Sequence, residues 1–132
     1  MRLTLRADAI LHLALGLVLL SSTWDALFDK LDLPRAEPEI FTQIAGGLLV
    51  AVGYLLWIAP RDVRLAYAVA LTAAVANAAG ALFVAAWLLF AELGIGRLGT
   101  TLLSFVAVIV TVFAALEARI AARSVAGLLP PD

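Results

Sequence analysis

Residues 65–91 read LAYAVALTAAVANAAGALFVAAWLLFA, without one charged side chain. At 1.5 Å per residue, a helix of this length reaches about 40 Å. The hydrocarbon core of a bilayer is only about 30 Å thick. Three further apolar stretches lie outside this one, at about 9–28, 40–59 and 100–120. Together the four account for most of the 132 residues. The sequence therefore predicts an all-α polytopic membrane protein: one transmembrane domain over 1–132, folded as an antiparallel up-down-up-down four-helix bundle.

Composition agrees. The chain is 64% hydrophobic and 14% charged, against roughly 45–50% apolar residues in soluble domains. A chain this short has no room for a soluble catalytic module beside four spans. The formal net charge of -1 gives no electrostatic basis for nucleic-acid binding, which draws on clustered Lys and Arg. The cysteine count is zero, which excludes disulfides, thiolate catalysis and Cys-ligated zinc or iron–sulfur clusters within this chain.

Arg2 and Arg6 before an apolar run resemble the start of a secretory signal. The run ends in Ser21-Ser22-Thr23-Trp24-Asp25-Ala26, which lacks a clear small-x-small cleavage site, so retention as a first span is expected. Under that reading Arg2, Arg6, Arg61, Arg64, Arg119 and Arg123 share one side, with Lys30, Arg35 and Arg97 on the other. Positive residues collect on the cytoplasmic side, so both termini are expected there, in a bacterial inner membrane. The connections at Pro60–Arg64 and Glu92–Gly99 are short enough to force antiparallel neighbours. The first outer connection carries Pro34 and Pro38 and is the expected place for a lid. Trp24, Trp57, Trp87 and Tyr67 fall near span ends, where amphipathic rings anchor at the headgroups.

Lipid tails are as apolar as leucine, so helix association in a membrane relies on close approach through small residues. The third span offers Ala76 and Gly80, and the second Gly46, Gly47 and Gly53. These positions predict a central third span with the second as its nearest partner, and first and fourth spans turned more toward lipid.

Polar side chains at membrane depth are the remaining signal. Asn77 is the deepest. Asp25, Gln43 and Ser104 lie toward the outer side and could form a pocket with Asn77 at its floor, to hold a quinone or a lipid headgroup or to bind a partner helix. The plainer alternative is interhelical hydrogen bonding. His12 is the only histidine and reads as an interfacial hydrogen-bonder; Glu117 reads as a partner of Arg119 and Arg123. No nucleophile–base pair, metal-ligand spacing or paired Glu-x-x-His motif can be assigned, so catalysis by this chain alone is not expected.

Gln43-Ile44-Ala45-Gly46-Gly47-Leu48-Leu49 with Gly53, and Leu15-Gly16-Leu17-Val18 with Leu27-Phe28-Asp29, resemble the first half of DoxX-like membrane proteins. That family is small, four-helical and bacterial, and members are linked to quinone-coupled sulfur oxidation and membrane redox complexes. This chain departs from its pattern at Gln43, where the family usually has Glu, and at Ala26, where it often has Lys. The leading expectation is an accessory or assembly subunit partnered by lipid and by another membrane protein, or by further copies of itself. A quinone-associated redox component is the alternative, and a small transporter or channel ranks third.

Overall fold

The computed structural model of the protein describes residues 1–33, 38–90 and 95–126, excepting the side chains of 124–126. The regular elements among the described residues are all helical: α1 (Arg2–Leu20), α2 (Asp25–Leu31), α3 (Ile40–Ile58), a 3₁₀ turn (Ala59–Arg61), α4 (Val63–Phe90) and α5 (Arg97–Ala126). Four of these helices are long and apolar enough to cross a membrane. Their large side chains point outward: Phe90 is 87% exposed, Leu3 83% and Leu82 75%. In water such a surface would aggregate; against acyl chains it is the solvated face.

Helix boundaries differ from the hydropathy pattern where hydropathy is a poor guide. The first span ends at Leu20 rather than continuing to 28, and the separate short helix α2 follows. Serine causes the break. Ser21 Oγ donates to the Val18 carbonyl at 2.7 Å, and the Trp24 amide closes a turn on the Ser21 carbonyl at 2.8 Å. Serine offers the backbone an alternative to the helical ladder. At the other end, α1 begins at Arg2 because Arg, Leu and Ala favour the helix irrespective of polarity. Helix α5 likewise runs from Arg97 to Ala126, beyond the apolar 100–120. Asp62 caps α4, its Oδ1 accepting from the amides of Arg64 and Leu65 at 2.8 and 3.0 Å. Pro34, Arg35, Glu37, Glu92 and Gly94 of the expected outer connections lie outside the described residues.

Packing departs from the expected order. Helix α3 lies along α1, not chiefly along α4, and α4 lies along α5. Glycine explains the first pairing. A Cβ built on Gly16 would stand 2.8 Å from the Gly46 carbonyl oxygen, and one on Gly46 would stand 2.8 Å from the Gly16 carbonyl. Farther along, Gly53 faces the Ala9 carbonyl and Leu13. Contacts that advance along α1 from Ala9 to Leu20 thus retreat along α3 from Gly53 to Gly46, with backbones nearly touching. The expectation that the first span faces mainly lipid fails for the same reason. Gly16 was the missing partner of Gly46.

Between the two pairs, the core is a patch of small and aliphatic residues: Leu5 and Ala9 of α1, Leu56 of α3, Ala59 of the turn, and Ala66, Ala70 and Ala73 of α4, with Ile120 of α5 packed against it. This patch joins the N-terminal ends of α1 and α4 to the C-terminal ends of α3 and α5. At the far end, Asp32 ends α2 in the left-handed region (φ 54°). Its carbonyl and carboxylate lie where a Cβ on Gly99 or Gly96 would have to go. The start of α5 is glycine-bearing because the chain leaving α2 rests on it.

Candidate functional site

Among the described residues, the buried polar side chains are Asp8, His12, Ser22, Asn77 and Glu117. All but Ser22 form one cluster. Asp8 and His12 sit one turn apart on α1, Asn77 lies midway along α4, and Glu117 is in the last third of α5. Asp8 and Glu117 are 0% exposed.

Asn77 is the hub. Its Nδ2 donates to Asp8 Oδ2 at 3.1 Å and to Glu117 Oε2 at 2.9 Å, using both hydrogens of the amide. His12 Nδ1 lies 3.1 Å from Asp8 Oδ1 and 3.1 Å from the Asp8 carbonyl oxygen. Both neighbours are acceptors, so the hydrogen belongs on Nδ1 and this nitrogen donates. Asp8 therefore accepts through both carboxyl oxygens. Glu117 accepts through Oε2 only; its Oε1 is buried and has no hydrogen-bond partner. Three helices from separate parts of the chain converge on this tetrad. The packing places it close to the arginine-bearing ends of α1 and α5, where Arg6 and Arg119 are exposed two residues from Asp8 and Glu117. The Arg6 guanidinium lies over the Trp57 ring at 5.4 Å, turned away from the cluster.

Of the four residues expected to line a pocket, Asn77 alone enters this site, joined by His12 and Glu117, for which other roles were expected. It does not floor an outer pocket with Asp25, Gln43 and Ser104, because its amide is engaged by Asp8 and Glu117. Ser104 is exposed and donates to the Thr100 carbonyl of its own helix at 2.8 Å. Asp25 is exposed at the start of α2, and Gln43 is half-buried in the first turns of α3. Glu117 does not turn toward the exposed Arg119 and Arg123 but inward to Asn77. His12 is buried within the protein and held by Asp8. Asp8 went unmarked because it precedes the apolar run; its spacing of four from His12 on a helix was the available signal. Among the packing glycines, Gly46 and Gly53 are buried at helix contacts, whereas Gly47 and Gly80 have nothing within 4 Å of a Cβ, and Ala76 is exposed.

No group of three or more potential ligands suited to a metal occurs among the described residues. Beside the cluster, a shallow groove of about 520 Å³ runs between α4 and α5, lined almost wholly by apolar side chains such as Ala78, Ala81, Leu82, Ala107 and Val112. Comparison with protein-family models, curated proteins and solved structures finds no match.

Proposed function

We propose that this protein is an accessory or assembly subunit of a membrane complex, its four spans alternating in direction through a bacterial inner membrane with both termini cytoplasmic. One observation carries the reading. Gly47 of α3 and the Ala76–Gly80 pair of α4 are exposed small residues, and a Cβ on either glycine would meet nothing within 4 Å. Small residues turned to lipid leave backbone open to close approach by a partner helix, the main source of association where lipid and side chain are equally apolar. The orientation is supported by the six arginines flanking the helix ends that share the Leu5–Ala59–Ala66–Ile120 patch.

The test is a photo-crosslinking residue placed at position 47 in the native membrane, read by mass spectrometry. A crosslink to a different integral membrane protein, lost in Gly80→Leu, is the expected result. Crosslinks to lipid only, or to copies of this chain only, overturn the accessory role. The quinone-associated reading of DoxX-like type ranks second. It keeps the resemblance of residues 15–53 but has lost Asn77 from its outer site.

A further inference from the structure

Independently of any partner, the tetrad raises a question of charge. Four polar side chains on α1, α4 and α5 are buried together in a helix assembly whose outer surface is apolar. The titratable groups facing the cluster are Asp8 and His12 from α1 and Glu117 from α5. Helix α4 supplies only the neutral Asn77 amide, and α3 supplies none among the described residues, Tyr54 being exposed. Arg6, Arg61, Arg64, Arg119 and Arg123 are all exposed. Two carboxyl groups thus share one amide nitrogen, and the imidazole is the one cation-forming group beside them. In a medium of low dielectric constant, two like charges at this separation repel strongly and an uncompensated carboxylate is costly.

Hydrogen bonding points to the same place. Asp8 is satisfied at both oxygens as an acceptor. Glu117 is satisfied at Oε2, while its buried Oε1 accepts from nothing. An ionised carboxylate offers lone pairs at both oxygens and loses stability when one oxygen is buried bare. A carboxylic acid carries no charge, remains an acceptor at one oxygen and donates from the other, and the Asp8 carboxyl held on the same amide is the acceptor at hand.

We propose that Glu117 holds an exchangeable proton, and that the Asp8–His12–Asn77–Glu117 tetrad is an intramembrane proton-binding site. Asn77 orients both carboxyl groups, and Asp8 with His12 forms the compensated ion pair beside the neutral acid. On release, the O–H bond of Glu117 breaks, its electron pair stays on the carboxylate, and the proton passes to water at the arginine-bearing end. Uptake is the reverse, and no redox partner is involved.

Infrared difference spectroscopy of the purified protein in lipid nanodiscs at neutral pH tests this. The expected result is a carboxylic-acid C=O band that shifts in heavy water and vanishes in Glu117→Gln. Gln can still accept from Asn77, so that variant keeps the hub bond. The wild-type spectrum stands without any variant. In native membranes, dicyclohexylcarbodiimide, which reacts with protonated carboxyls in apolar surroundings, should add to the peptide bearing Glu117. Absence of the band in the wild type, a band that does not shift in heavy water, or one that survives Glu117→Gln and disappears in Asp8→Asn would each overturn the assignment.

Discussion

Asn77 carries more of this structure than its size suggests. One amide nitrogen serves two carboxyl groups contributed by different helices. Removing it in Asn77→Ala leaves Glu117 buried without a donor and Asp8 with only the one from His12, a loss of about 2–5 kcal/mol by comparison with other buried charge-assisted bonds. The expected outcome is a marked fall in thermal stability in mild detergent, with Ser104→Ala, whose hydroxyl bonds only within its own helix, unchanged. An Asn77→Ala protein as stable as the wild type would show that the hub bonds contribute little. The deep asparagine was legible in the sequence because a polar residue inside an uninterrupted apolar run stands out. Its partners were not. Asp8 and Glu117 sit at the edges of their runs, among arginines, where hydropathy reads them as surface. Helix α1 starts ahead of its apolar run and so carries Asp8 inside, while Glu117 lies within its run and turns inward to Asn77.

At the scale of helices, glycine decides which pairs form. Where Gly16 and Gly46 meet, neither backbone can accept a side chain without separation. Gly16→Leu or Gly46→Leu should therefore part α1 from α3 and destabilise the protein by at least about 1–3 kcal/mol, the usual cost of overpacking. Gly80→Leu should leave the melting temperature unchanged, since its side chain would enter open space. Reversal of that order in a detergent melting series would reject the α1–α3 crossing. Composition identified the glycines, but it could not say which face each one occupied. Gly46 and Gly47 are adjacent in sequence, and about 100° of helical rotation puts one against α1 and the other outside. The existence of four long helices was legible because apolar length alone determines it. The pairing was not, because small residues occur on more than one side of α3 and α4.

For the whole molecule, the relevant quantity is where each end lies relative to the bilayer. The absence of cysteine makes this directly measurable, since any introduced thiol is the only one. Single-cysteine variants at Arg2, Arg61 and Arg123 should react with a membrane-impermeant maleimide only after the cytoplasmic side is opened. A thiol at Lys30 should react in intact cells. Labelling of Arg61→Cys from outside would invert the proposed orientation while leaving the helix pairing untouched. The arginine count supports this orientation from sequence, and the patch of Leu5, Leu56, Ala59, Ala66 and Ile120 supplies an independent reason to group those ends.

The tetrad also bears on biogenesis. Asp8 and His12 are made before Asn77 and Glu117, so the α1 side chains leave the ribosome long before α5 can meet them. Through that interval the glycine crossing with α3 is available, but the amide from α4 and the carboxyl from α5 are not. The nascent chain thus carries in α1 a polar pair that has only itself for a partner until α4 and α5 follow. Closure of the cluster reports that all of α1, α4 and α5 have been inserted, and a chain stopped before α5 would present Asp8 and His12 to membrane quality control.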